Sequence, residues 1–96
     1  MSVKALTPRS KAITVTLTSV YDGGGKPSTM VKACAQDLDY RWDRLVQRAA
    51  DADDPERGLD FYVAMLLWNW FSGGDTADFA AKQVCAAVAN LNAATA

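Results

Sequence analysis

A chain of 96 residues, 50% of them apolar or aromatic, is long enough for one hydrophobic core and too short for two. Its formal charge of -1 supplies neither the basic field that draws nucleic acid nor the acidic excess that mimics it. The sequence contains no histidine, the side chain best suited to proton transfer near neutral pH and the commonest metal ligand, and two cysteines without it do not complete a structural zinc site within one chain.

The opening MSVKALTPRSK lacks the apolar stretch of a secretory signal, so a cytoplasmic location is expected. Residues 12–21, AITVTLTSVY, alternate, with Ile13, Val15, Leu17 and Tyr21 on one side and Thr14, Thr16 and Thr18 on the other. Period two with β-branched residues predicts a strand with one buried face. Such a strand needs a partner. VKALT at residues 3–7 would pair with it as a short hairpin across PRSK; failing that, a second copy of the chain would add a strand at the open edge.

The next stretch, SVYDGGGKPST at residues 19–29, has the order strand, glycines, lysine, hydroxyl residues, helix. A phosphate loop of the nucleoside-triphosphatase type reads G-x-x-x-x-G-K-[ST]. Here Gly25 and Lys26 are present, but Val20 stands where the first glycine belongs, and Pro27 separates Lys26 from Ser28. The insertion breaks the step that would place a hydroxyl on magnesium. A weaker anion site remains: Lys26 with Ser28 and Thr29 at a helix N-terminus, where backbone amides attract negative charge. The plainer reading is a turn in which Pro27 and Ser28 prepare the helix start.

Ser28 is a good N-cap for a helix over 28–52. At about 100° per residue, Val31, Cys34, Leu38, Trp42, Leu45, Val46 and Ala49 share one arc. Arg41, Arg44 and Arg48 flank it on one margin with Asp37 among them, while Lys32, Asp39 and Asp43 lie on the other side. The arginines suit phosphates or the carboxylates of a partner; alternatively they form a solvated margin in which Asp37 pairs with Arg41 at a spacing of four. YRWDR, residues 40–44, interleaves aromatic and basic groups as single-strand nucleic-acid binders do, but Trp42 points into the apolar arc and is expected in the core.

DADDPERG, residues 51–58, separates this helix from the next. Asp54 before Pro55 predicts an N-cap and first helical position, giving a helix over 55–71. Asp51, Asp53 and Asp54 cluster here, but Gly58 falls outside the register of a calcium loop and Glu56 is the only glutamate of the chain. Capping and solubility are the expected roles. The helix itself is apolar on two sides: Leu59, Val63, Leu66, Leu67 and Trp70 on one, Phe61, Ala64, Met65, Trp68 and Phe71 nearly opposite. A helix apolar all round is covered all round, by its neighbours or by another molecule. Its longest apolar run, FYVAMLLW, stops at Asn69, short of the roughly 20 residues that span a bilayer.

Asp75 is read as the cap of a last helix over 76–94, with Ala77, Ala81, Val84, Val88 and Leu91 on one face. Cys34 and Cys85 both fall within helical apolar patterns and are expected as buried reduced thiols. No serine stands in a G-x-S-x-G context, no cysteine has a histidine to activate it, and nothing singles out two of the aspartates as a pair.

The expected fold is mostly α with a β element (α+β): a single domain over 1–96, with an N-terminal strand or hairpin in 1–22 followed by a three-helix bundle whose middle, apolar helix is central. The expected function is non-enzymatic and cofactor-free. The chain would bind a protein partner as a small inhibitor or adaptor, of the kind phages and mobile elements encode, and would form a homo-oligomer, a dimer being favoured. Phe61, Met65, Trp68 and Phe71 are the candidates for its apolar interface, with Arg41, Arg44 and Arg48 giving polar specificity at the rim. The alternative is a nucleotide or nucleic-acid binding module that recognises phosphate through Lys26, Ser28, Thr29 and the arginine ridge.

Overall fold

The computed structural model describes residues 7–95 and places four helices in them: α1 (Pro8–Tyr21), α2 (Thr29–Asp51), α3 (Leu59–Trp70) and α4 (Asp75–Thr95). None of the described residues lies in a strand.

The expected strand over residues 12–21 is therefore overturned: that segment is α1. Ile13 and Leu17 stand four apart, and Val20 and Tyr21 follow one turn later, so the same residues also fit a helical stripe. The start signal lies just before them. Thr7 caps the helix, its hydroxyl accepting the Ser10 N–H at 2.9 Å, and Pro8 occupies the first turn. The threonines that favour a strand are accommodated by bonding back to the preceding turn. Thr14, Thr16 and Thr18 donate to the carbonyls of Ser10, Ala12 and Thr14 at 2.8, 2.9 and 2.6 Å. Val15, inward in the strand reading, is 69% exposed. The proposed hairpin partner over 3–7 lies outside the described residues but for Thr7.

The later helices follow the sequence more closely. Ser28 caps α2 by accepting the Val31 N–H at 3.2 Å, and Val31, Cys34, Leu38, Trp42 and Leu45 are buried as the arc requires, although Val46 is exposed. α3 begins four residues later than Asp54-Pro55 suggests. The Asp54 carboxylate accepts the N–H of Glu56, two residues on, at 2.9 Å, and the Asp54 carbonyl accepts the Arg57 N–H at 3.0 Å. The segment thus closes as a turn, and Gly58 becomes the N-cap. α4 takes in Asp75 as its first residue, with the Gly74 carbonyl accepting the Asp78 N–H at 3.3 Å.

The connections are short, and successive helices run antiparallel. Arg9, at the start of α1, reaches Asp39 and Asp43 in the middle of α2; Arg48 near the end of α2 lies over Tyr62 in the first turn of α3. Asp60 of α3 shares a recess with Lys82 of α4. Thr7 and Leu91 line one hollow where α4 returns to the start of α1. Neighbouring pairs are α1–α2, α2–α3, α3–α4 and α4–α1, so the helices form an up-down-up-down ring. The apolar helix α3 is not the centre of a three-helix bundle: it is one side of a four-helix one, packed between α2 and α4 and open outward. The core fills the axis of the ring with Ile13 and Leu17, Leu38 and Trp42, Val63 and Leu67, and Ala77, Ala81, Val84 and Val88. The alanines of α4 let its backbone approach closely.

Candidate partner-binding surface

With the ring closed, the two apolar sides of α3 part company. Val63, Ala64 and Leu67 are buried and Leu59, Leu66 and Trp70 pack against the core. On the outer side Phe61 is 36% exposed, Met65 49% and Trp68 53%. These positions, four and three residues apart, form one stripe. Phe71 leaves that stripe. It sits at the C-terminal cap of α3, half-buried, with its ring stacked on Tyr21 of α1 at a centroid distance of 3.9 Å and an angle of 10°.

Three local contacts hold the stripe. Gly73, in the turn between α3 and α4, lies under the Trp68 indole, and a β-carbon there would overlap the ring. Phe61 meets Tyr62 edge-on at 5.3 Å, and the Arg57 guanidinium lies over the Phe61 ring, 5.2 Å from its centroid. Between Phe61, Met65 and Trp68 on one side and Asp78 of α4 on the other runs a groove of about 400 Å³ with Ala64 in its lining.

Arg41, Arg44 and Arg48 are all exposed, on the margin of α2 that faces α3. Arg41 pairs with Asp37 at 3.1 Å, the spacing-of-four pair expected for a solvated margin, and Arg48 lies 5.4 Å from the centroid of the Tyr62 ring. Tyr62 and Phe61 therefore join the ridge to the start of the apolar stripe, while Trp68 lies toward α4.

The glycine turn follows a helix rather than a strand. Gly23, Gly24 and Gly25 all have left-handed backbone, with φ of 70°, 91° and 79°, and the Gly24 N–H closes on the Thr18 carbonyl at 3.0 Å. Lys26 is exposed. The Asp22 carboxylate accepts the Ser28 N–H at 2.9 Å, and the Ser28 hydroxyl is committed to Val31. The chain's own carboxylate thus occupies the approach to the N-terminus of α2 that a phosphate would use.

Cys34 is buried and Cys85 half-buried, and neither is bonded to the other. Burial, reinforced by the charge of Asp60, pushes the Cys85 thiol up to about 11; burial and then Asp37 raise Cys34 as well. Both are poor nucleophiles. Among the described residues no group of three or more carboxylate, cysteine or histidine ligands could hold a metal ion, and no helix is long and apolar enough to cross a membrane.

Three features of this surface escape the sequence reading. Asp78 forms the far wall of the groove, Gly73 supports Trp68, and Tyr62 bridges to the arginines. The roles of Asp78 and Tyr62 depend on which helices lie beside α3, which the ring decides, and that of Gly73 on how the chain turns at the end of α3. No protein-family model, curated protein or solved structure matches the chain.

Proposed function

We propose that the protein is a non-enzymatic interaction module, an inhibitor or adaptor, that binds a protein partner through the outer face of α3. One observation carries the reading: Phe61, Met65 and Trp68 remain 36%, 49% and 53% exposed after the bundle has closed around its own core. Aromatic and methionine side chains gathered on one helical face are the composition of interface centres. Arg48 and Arg57, both stationed over aromatic rings beside the stripe, would supply polar contacts at its edge. The phosphate reading draws less support, because Asp22 already takes up the Ser28 amide and Arg41 is paired.

The test is affinity capture from the native host with the wild-type protein and with a Met65→Ser/Trp68→Ser variant whose helical circular dichroism matches it. A partner retained by the wild type and lost by the variant is the expected result. Equal capture by both would reject the α3 face, and capture of nucleic acid sensitive to Lys26→Ala would favour the phosphate reading.

A further inference from the structure

We propose that the seam between α3 and α4 receives a basic amphipathic helix of the partner, a proposal that rests on the α3 face being the binding surface. The groove beside Phe61, Met65 and Trp68 shares Phe61, Ala64 and Asp78 with a second recess of about 220 Å³, so the two form one channel along the seam. Glu56, Asp60 and Lys82 complete its far end. Three carboxylates and one ammonium thus border the channel, whose floor is apolar along Phe61, Ala64, Met65 and Trp68 and turns polar at the Glu56 end. Among the described residues none of Glu56, Asp60 and Asp78 forms an ion pair; Arg57, whose guanidinium lies over Phe61, pairs with Asp54 at 3.6 Å. Carboxylates left unpaired around an apolar channel complement a ligand that carries apolar side chains on one face and lysines or arginines along its margins.

The shape of the site selects a helix. The channel is the furrow between two antiparallel helices, into which the ridge of another helix packs, and the described residues present no strand edge to extend. From Asp60 to Trp68 it follows just over two turns of α3, about 12 Å at 1.5 Å per residue, and Glu56 in the preceding turn extends it. A second copy of the chain fits less well. Its own exposed apolar face is margined by Asp60 and Asp78 together with Arg57 and Lys82, so it complements three carboxylates less fully than a wholly basic margin does.

The experiment uses the whole protein and a designed helical peptide of leucine and lysine about four turns long, with a leucine–glutamate peptide of the same pattern as its counterpart. Binding is read by tryptophan fluorescence and by anisotropy of the labelled peptide. The basic peptide is expected to bind and shift the emission to the blue as Trp68 leaves water, and the acidic peptide to remain free. Met65→Ser/Trp68→Ser should abolish that binding. Asp78→Asn should weaken it roughly fivefold, whereas Asp43→Asn, the same charge change on the far side of the bundle, should leave it unaltered. Equal binding of both peptides, or equal effects of the two asparagine variants, overturns the proposal. So does a dimer in light scattering that Met65→Ser dissolves, which would make the occupant a second copy. Failure of the basic peptide alongside host capture that still depends on Met65 and Trp68 would sink this inference and leave the binding face standing.

Discussion

Arg9 engages more of the protein than any other charged side chain. Its Nε donates to Asp39 Oδ1 at 2.6 Å, one terminal nitrogen to Asp43 Oδ1 at 3.2 Å and the other to the Asp39 carbonyl at 3.1 Å, while the Thr7 hydroxyl donates to Asp39 Oδ2 at 3.2 Å. Burial disfavours the Arg9 cation, and the hydrogen bonds and charges of Asp39 and Asp43 more than offset it. Arg9→Ala should lower the free energy of unfolding in urea by about 1–2 kcal/mol, below the value for a fully buried pair because Asp43 is open to solvent. Arg9→Lys should recover less than half of that loss, since a single ammonium cannot serve three acceptors held in a fork. Cys85 gives a second residue-level prediction. Its folded thiol titrates near 11 against an ordinary 9.0, so folding favours the protonated form. That contribution is fully present below pH 9 and is lost as pH rises toward 11. Alkylation by iodoacetamide at pH 8.5 should be much slower in the native protein than in urea, and a Cys85→Ala variant should lose less stability than wild type between pH 9 and 11.

At the scale of elements, α1 separates the helical from the extended arrangement by mutation. Val15→Lys should change stability by less than about 0.5 kcal/mol, as at an open helical position, whereas Leu17→Ala should cost about 2–5 kcal/mol; a strand with both residues inward would suffer from each. The segment misleads because Ile13 and Leu17 satisfy period two and period four alike, and Val15 and the threonines tilt the balance toward β. The decisive information was the Thr7-Pro8 cap, which precedes the alternation. α2 was legible because its apolar arc runs over many turns and a serine stands at its start. The beginning of α3 was not, because Asp54 can cap either a helix or its own turn, and Gly58 then offers a later start. Gly73 ties the end of α3 to the surface it displays. Gly73→Ala should move the Trp68 indole off the turn, changing tryptophan emission and weakening partner capture while the helical content stays unchanged.

For the molecule as a whole, each helix contributes side chains to one shared axis and touches two others, so no pair can leave without opening the core. Heat or urea should therefore unfold it in one step, with circular dichroism and tryptophan fluorescence giving coincident transitions. The exposed stripe of Phe61, Met65 and Trp68 was legible in outline, because α3 has more apolar surface than one side of a bundle absorbs. Helical angle groups Phe71 with it, yet the helix ends at Trp70 and the chain turns Phe71 back onto Tyr21. The acidic wall on α4 was illegible, since no local pattern says that α4 rather than α1 lies beside α3.

The turn between α1 and α2 carries a consequence of handedness. Gly23, Gly24 and Gly25 hold left-handed backbone there, with open space where an L β-carbon would project. Replacing Gly24 by D-alanine through chemical synthesis should raise stability by about 0.4–1 kcal/mol, because the unnatural enantiomer is at ease where the chain already sits and has fewer shapes to explore once unfolded. The L-alanine isomer at the same position should lower it, so a single stereocentre reads out the geometry of the bend.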